Sequence, residues 1–179
     1  MWRPGFSFVE QVSATVTGYH RALCVYSHVH RGTPECPGLV LGLDEGGECR
    51  GVAYRVSADE WPNVLNYLRE REQANYAYKE VELDLLLDGG RAEQGLAFVA
   101  DRSHRQYAGG LMQADMLRLI RQGHGVSGAN AEYIFNTSRH LAEAGIQDAI
   151  LNSLIDQLLR GQTSDFEGSD FEGAADEKK

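Results

Sequence analysis

The period of the apolar residues changes near residue 100, and this change restricts the fold more than any other feature. Before that point apolar and polar residues alternate, as over residues 12–16, which is the period of a β-strand. Beyond it apolar residues recur every three to four positions, as over residues 151–158, which is the period of a helix. Strands followed by helices predict an α+β fold, with a largely antiparallel sheet or small barrel flanked by helices and a helical C-terminal third.

Turn-forming residues divide the two regions into separate elements. We expect a proline- and glycine-rich loop over residues 27–38 and strands at 12–25, 39–43, 49–56, 81–87 and 96–99. The turn Asp44-Glu45-Gly46-Gly47 would make 39–43 and 49–56 the two arms of a hairpin, and Asp88-Gly89-Gly90 is the turn expected between 81–87 and 96–99. Helices are expected at 59–72, 111–122, 131–144 and 148–160, and each of the last three stops at a glycine.

The helix predicted at 59–72 has two candidate N-terminal caps. Ser57 and Glu60 match a capping box, in which each side chain bonds the other residue's backbone N–H. Asp59 as the cap would instead place Pro62 in the first turn, where its missing N–H costs nothing. We favour Asp59.

Glu72 ends this helix on its apolar face. The apolar residues at 61, 64, 65 and 68 form one stripe, which reaches Glu72 four positions later and leaves Glu70 on the solvent side. A carboxylate within an apolar stripe loses hydration, which favours its protonated form and makes it a candidate proton carrier near neutral pH. The competing interpretation is a solvated helix end beside Arg69 and Arg71, which the pattern alone favours because structural carboxylates outnumber catalytic ones.

Composition and charge exclude several classes of protein. The chain has 179 residues, enough for one domain, and no apolar run long enough for a membrane helix. Its formal charge of −9 and lack of a basic stripe argue against nucleic acid as a partner. Cys24, Cys36 and Cys49 are odd in number and lack a Cys-x-x-Cys spacing, which favours reduced thiols and a cytoplasmic location.

The C-terminal tail differs in composition from the rest of the chain. Residues 161–179 hold six acidic residues against two lysines, a charge of −4, so the remainder carries −5 of the total −9. The tail repeats Ser-Asp-Phe-Glu-Gly at 164–168 and 169–173 and has almost no aliphatic residues. We therefore expect one domain over residues 1–160 and a disordered acidic tail over 161–179.

Histidines and tyrosines supply the remaining candidate site residues. His28 and His30 alternate, so they would point to opposite sides of a strand, and no third ligand is spaced to complete a metal site. Tyr107 lies in a loop ahead of a helix and Tyr133 near the start of one. Such tyrosines suit either binding of a small polar ligand through their hydroxyls or packing at an amphipathic rim.

Six segments in a fixed order resemble the ChaC-like γ-glutamylcyclotransferases, in particular the glutathione-specific branch. They are Met1-Trp2-Arg3-Pro4-Gly5-Phe6; Ser27 to Gly38, with His30-Arg31-Gly32-Thr33-Pro34 and Pro37-Gly38; Gly51-Val52-Ala53-Tyr54-Arg55; Tyr67-Leu68 with Arg71-Glu72 and Tyr76; Gln106-Tyr107-Ala108-Gly109; and Ser127-Gly128 with Ala131-Glu132-Tyr133. Each segment is weak alone, but together they cover about residues 1–160.

The resemblance implies a small β-barrel flanked by helices and the conversion of glutathione into 5-oxoproline and cysteinylglycine. It makes Glu72 the catalytic acid and base, and it marks as substrate-binding Met1, Trp2, Arg31, Tyr107 and Tyr133. It implies a cytoplasmic monomer that needs neither a cofactor nor a metal ion and binds neither nucleic acid nor membranes.

One part of the family pattern has no counterpart in this sequence. Relatives carry a Tyr-Gly-Ser-Leu loop, immediately before the position of Met1, whose backbone amides hold the γ-glutamyl group. We therefore expect either that the protein starts upstream of Met1 or that it has lost this strand. In the second case it would be a non-catalytic binding or regulatory relative that keeps the scaffold without the substrate cradle.

Overall fold

The fold is a closed four-stranded barrel with helices packed against it, as seen in a computed structural model that describes residues 4–73 and 75–167. The strands follow the order β1-β2-β4-β3 around the barrel. They are β1 (Glu10–Ser27), β2 (Gly38–Arg55), β3 (Tyr78–Leu87) and β4 (Arg91–Ala100). Since β2 and β4 run parallel and the other neighbouring strands antiparallel, the barrel is mixed, which confirms the predicted α+β class.

The helices and a small second sheet complete the described chain. The helices are α1 (Trp61–Glu72), α2 (Gln113–Gln122), α3 (Asn130–Glu143) and α4 (Ala149–Glu167). The second sheet pairs β5 (His124–Gly125) with β6 (Gly128–Ala129), between α2 and α3. In the part of the chain that the structure describes, no helix is long and apolar enough to cross a membrane.

The predicted hairpin turn at residues 44–47 is wrong, because β2 runs through it as one strand of 18 residues. Gly46 and Gly47 have φ angles of 97° and 73°, and they face the single residue Gly18, whose φ is 91°. Two residues opposite one make a β-bulge, which bends and twists a strand without reversing it. The glycines that suggested a turn therefore let the paired strands β1 and β2 bend together around the barrel.

The start of α1 also differs from the prediction. The helix begins at Trp61 with Glu60 as its N-cap, and no side chain caps it. Asp59 is therefore not the N-cap, although Pro62 does lie in the first turn as expected. The carbonyl oxygen of Ser57 accepts hydrogen bonds from the Glu60 and Trp61 N–H groups, at 3.2 and 3.0 Å. This backbone turn before the helix replaces the side-chain cap.

The remaining predicted elements are present, with longer strands and one longer helix. β3 and β4 form the expected hairpin around Asp88-Gly89-Gly90, where both glycines have positive φ. Helix α2 ends at Gln122, followed by Gly123 as its C-cap, and α3 ends two residues before Gly145. The predicted stop at Gly161 is wrong, because α4 continues to Glu167. Residues 168–179 of the predicted tail lie outside the described residues.

Three clusters of buried side chains hold the barrel and helices together. In the first, Leu23 of β1 and Leu39 of β2 pack with fully buried residues of the last three helices, among them Ile120, Ile134 and Leu154. The other two lie along the barrel strands, and their buried members are Cys24, Val25, Ala77 and Ala100 in one and Val16, Cys49 and Leu83 in the other. Gly42 of β2 approaches Cys24, Tyr78 and Ala100 closely. An added Cβ at Gly42 would lie 3.0 Å from the Cys24 sulfur and 3.4 Å from the Tyr78 ring.

Candidate active site

Glu72 lies where the apolar stripe predicted it, at the last turn of α1. Its side chain is 21% exposed, whereas Glu70 faces solvent. Val64 of the same stripe is buried and Leu68 is half-buried. One Glu72 carboxylate oxygen lies 3.2 Å from Nε of Arg71. The carboxylate is therefore partly shielded by its own helix but still open to a ligand.

The end of α1 is fixed to the barrel by neighbouring residues. Arg69 donates two hydrogen bonds, of 2.7 and 2.8 Å, to the carboxylate of Glu80 on β3. The Gln73 N–H donates to the Arg69 carbonyl and closes the helix. Tyr76 then adopts a left-handed backbone with φ of 57°, which only a few per cent of non-glycine residues do. These contacts set the position of Glu72 relative to β3.

Tyr78 of β3 is a half-buried polar neighbour of Glu72 that the sequence analysis missed. Its hydroxyl donates a hydrogen bond of 3.1 Å to the Leu41 carbonyl of β2. Burial raises the pKa of Tyr78, and the nearby groups of Tyr133, Cys24 and Glu72 raise it further. Tyr78 thus lies within electrostatic reach of both Glu72 and Tyr133. The alternation Tyr76-Ala77-Tyr78 leading into the strand was the available signal, but the predicted strand began three residues later.

Tyr133 and Arg31 come together on the other side of Leu41. The Tyr133 hydroxyl accepts a hydrogen bond of 3.1 Å from the Leu41 N–H, and burial raises the pKa of Tyr133. The Arg31 guanidinium carbon lies 5.6 Å from the centre of the Tyr133 ring, within the range of a cation–π contact. Arg31 is 16% exposed, donates to the Ala129 carbonyl at 3.2 Å and lies 3.8 Å from Glu132.

The loop that carries Arg31 packs backbone to backbone against the segment before α3. A Cβ added at Gly123 would lie 2.6 Å from the Arg31 carbonyl oxygen and 2.7 Å from the Gly38 Cα, so only glycine fits there. His30 of this loop lies 3.0 Å from the Ser127 hydroxyl, through Nδ1. Among the described residues, no group of three histidine, cysteine or acidic side chains could hold a metal ion.

Tyr107 belongs to a separate hydrogen-bond network at the same level of the barrel. Its hydroxyl donates a 2.8 Å bond to Asp44 of β2, which also accepts a 2.7 Å bond from Nε of Arg102. Tyr107 and Tyr78 pack against one shared cluster, which consists of Cys24, Val25, Ala77 and Ala100. A cavity of about 210 Å³ borders Asp44 and Cys24, and its lining does not reach Glu72.

Contacts and electrostatic interactions connect four of the predicted residues, Glu72, Arg31, Tyr107 and Tyr133. Glu72, Tyr133 and Arg31 are linked through Tyr78 and Leu41, while Tyr107 joins them through the cluster around Cys24. Met1 and Trp2 lie outside the described residues. The group combines a carboxylate, three tyrosine hydroxyls and a guanidinium, a set suited to binding a small zwitterion and moving its protons.

Comparison with solved structures defines the class of fold. A solved structure with a similar fold is that of the γ-glutamylcyclotransferase specific to glutathione from yeast, with a TM-score of 0.77 and 20% sequence identity. The alignment covers 86% of this chain and 89% of the yeast protein. At that identity the likeness concerns the fold alone, which is the γ-glutamylcyclotransferase barrel.

Sequence comparison then identifies the family. Residues 1–160 match the family model described as ChaC-like protein, and the chain belongs to this family. The glutathione-specific γ-glutamylcyclotransferase of Escherichia coli K12 is 36% identical over 155 residues, covering 87% of this chain and 67% of the relative. The human glutathione-specific γ-glutamylcyclotransferase 1 is 30% identical over 162 residues, covering 87% and 73%. The resemblance inferred from the six segments is confirmed.

Proposed function

We propose that the protein is a cytoplasmic, monomeric γ-glutamylcyclotransferase that converts glutathione into 5-oxoproline and cysteinylglycine. The observation that carries the proposal is the partly exposed Glu72 carboxylate beside the buried tyrosines of the barrel, in a chain of the ChaC-like family. The names of its bacterial and human relatives support glutathione as the substrate. The three unpaired cysteines suit a reducing compartment, where glutathione is also abundant.

The reaction is an intramolecular transfer that one carboxylate can catalyse. The α-amine nitrogen of the substrate forms a bond to its own γ-carbonyl carbon, and the bond from that carbon to the cysteine nitrogen breaks. Attack within one bound molecule gains its rate chiefly from enforced geometry. The α-ammonium nitrogen must lose one proton before attack and a second as the ring closes, and the leaving nitrogen gains two to become the ammonium group of cysteinylglycine. Glu72 carries these protons one at a time from the attacking nitrogen to the leaving nitrogen, so no metal ion or enzyme nucleophile is required.

The other grouped residues fit the charges of the substrate. Glutathione carries two carboxylates, which suit the Arg31 guanidinium and its planar set of donors. Tyr133 shares a face with Arg31 and would lie beside the same end of the substrate. Tyr107 packs against the Cys24 cluster and would contact another part of the substrate. Each of these assignments is part of the proposal.

A matched pair of variants on α1 tests the role of Glu72. Glu72→Gln keeps the shape of the side chain but cannot accept the proton, so release of 5-oxoproline from glutathione should fall by about 10²- to 10⁴-fold. Glu70→Gln changes the same residue type two positions away on the exposed face and should keep its activity. Product is measured by chromatography with mass detection, and circular dichroism checks the fold of both variants.

Two results would count against the proposal in different ways. Retained turnover in Glu72→Gln would show that another group moves the proton. Binding of glutathione without any turnover by the wild-type chain would instead favour the non-catalytic relative that the sequence left open.

A further inference from the structure

The hydrogen bond between Tyr107 and Asp44 can have only one direction. The Tyr107 hydroxyl oxygen lies 2.8 Å from Oδ2 of Asp44. An ionised carboxylate has no proton to give, so it only accepts hydrogen bonds. Tyr107 must therefore donate its single proton to Asp44. Its oxygen is then left with lone pairs, and any further partner of Tyr107 has to be a donor.

Asp44 is held in the ionised state that this direction requires. Its side chain is 8% exposed, and burial alone would raise the pKa of its carboxyl group. Hydrogen bonds from Arg102, Tyr107 and the Glu45 N–H outweigh burial and bring the pKa of Asp44 below its ordinary value. Arg102 also donates a 2.7 Å bond to the Glu45 carbonyl, which fixes the guanidinium in place.

The hydroxyl of Tyr78 is also a donor in its hydrogen bond, because its partner can only accept. Its hydroxyl donates to the Leu41 carbonyl, and a carbonyl oxygen can only accept. Tyr78 and Tyr107 pack against the same cluster, and Tyr78 lies near Glu72. With its proton used in this way, each of the two hydroxyls offers only acceptor lone pairs to a ligand. An ammonium group is the complementary ligand, because it has three N–H donors and no acceptor.

We propose that Tyr107 and Tyr78 recognise the α-ammonium group of the γ-glutamyl substrate, and that Asp44 is a positioning residue, which takes the hydroxyl proton of Tyr107 and so leaves its oxygen as an acceptor. The proposal rests on the proposed function, and it adds the residues that select the amine. It places the amine beside Glu72, which removes its proton. A γ-glutamyl-like compound without an amine then leaves these acceptors unpaired and binds more weakly.

Asp44→Asn should reverse the direction of the hydrogen bond between residue 44 and Tyr107 with almost no change in the shape of the side chain. Oδ1 of Asp44 accepts from both Arg102 and the Glu45 N–H, whereas Oδ2 accepts only from Tyr107. The two donors hold the amide oxygen of the variant at the Oδ1 position, so its NH₂ group faces Tyr107. The hydroxyl of Tyr107 then becomes the acceptor of that bond and turns its own proton towards the ligand. An ammonium group is repelled by this arrangement.

The test compares two ligands that differ only in the amine. Binding of glutathione and of glutaryl-cysteinylglycine, its analogue without the α-amine, is measured by calorimetry in the full chain carrying Glu72→Gln to prevent turnover. We expect glutathione to bind about tenfold or more tightly than the analogue, the range of a charged hydrogen bond. Adding Asp44→Asn should abolish this preference, and adding Tyr107→Phe should reduce it. Affinity for the analogue should change less than twofold in both.

Asp101→Asn is the control for loss of one negative charge. Asp101 lies next to Arg102 and pairs with Lys79 at 2.7 Å, away from Tyr107, so this variant should keep the preference for glutathione. If Asp44→Asn fails to fold, Tyr107→Phe still tests the contact. A preference that survives both variants, or an equal loss of affinity for the two ligands, would overturn the inference. Failure of the proposed function would appear separately, as wild-type chain that releases no 5-oxoproline.

Discussion

Asn130 at the start of α3 makes two hydrogen bonds on which both the fold and the site depend. Its side chain is fully buried, accepts a 2.7 Å bond from the Leu39 N–H and donates a 2.8 Å bond to the Leu39 carbonyl. The amide thereby pairs with β2 as a neighbouring strand would. Leu39 is itself fully buried, so water cannot easily replace the amide. Asn130→Ala removes both partners and leaves two buried backbone groups unsatisfied.

The expected loss of folding stability follows from the two Leu39 backbone groups that Asn130→Ala leaves without a hydrogen-bond partner. A buried donor or acceptor without a partner costs about 1–3 kcal/mol, so the two together should cost about 2–6 kcal/mol. This is a large part of the about 5–15 kcal/mol by which a domain is stable. With a urea m-value of about 2 kcal/mol/M, the middle of the usual range, the unfolding midpoint should fall by about 1–3 M. The assay is urea unfolding followed by circular dichroism, with the m-value fitted for each variant.

An exposed asparagine provides the comparison. Asn66→Ala on α1 changes the same residue type at an exposed position and should stay within about 0.5 kcal/mol of wild type. Asn130→Asp keeps an acceptor for the Leu39 N–H but sets a second acceptor against the carbonyl, so it should destabilise at least as much as Asn130→Ala. A loss below about 1 kcal/mol for Asn130→Ala would show that Leu39 is not isolated from water, and would refute the reasoning.

Two further predictions concern thiols and acid stability. At pH 8 the folded protein should gain one iodoacetamide adduct, at the exposed Cys36, as measured by intact mass, because burial raises the pKa of Cys24 to about 12 and also raises that of Cys49. Protein unfolded in urea should gain three adducts. More than one adduct on the folded protein would contradict this prediction. Because the pKa of Asp44 is lowered on folding, its ionised form stabilises the protein above the unfolded pKa of about 3.9, and this contribution is lost as pH falls through the lower folded value. The stability difference between wild type and Asp44→Asn should therefore shrink from pH 7 to pH 3, and a difference independent of pH would count against an ionised Asp44.

The barrel could be predicted from residue patterns because alternation and glycines are local signals. The Asp88-Gly89-Gly90 turn was correct, since two glycines with positive φ join β3 and β4, which pair with each other along their whole length. Gly46 and Gly47 have the same local signal, but their strand continues because Gly18 of β1 bends at the same level. A turn and a bulge differ in what the partner strand does, and no pattern within one segment contains that information.

In the candidate site, too, the sequence predicted what depends on one segment and missed what depends on contacts between distant segments. The position of Glu72 on the buried side of α1 followed from helical spacing, which a single segment contains. Asp44 lies on β2, whereas Arg102 and Tyr107 lie in the loop after β4, and no pattern within either segment predicts that the three side chains meet. Tyr78 lies at the first residue of its strand, where boundaries are least predictable. Only the closed barrel brings these side chains to one level.

One edge of β2 connects the stability of the fold to the geometry of the site. At Leu39 and Leu41 the backbone groups of this edge bond to side chains, not to a strand, with Asn130 at the first position and Tyr133 and Tyr78 at the second. Asn130 and Tyr133 are three residues apart on α3, so they lie on one face of its first turn. The same helix start therefore satisfies the barrel edge and sets Tyr133 beside Tyr78. Because both functions use one turn of α3, a shift of that turn must weaken the barrel and displace the tyrosine hydroxyls together.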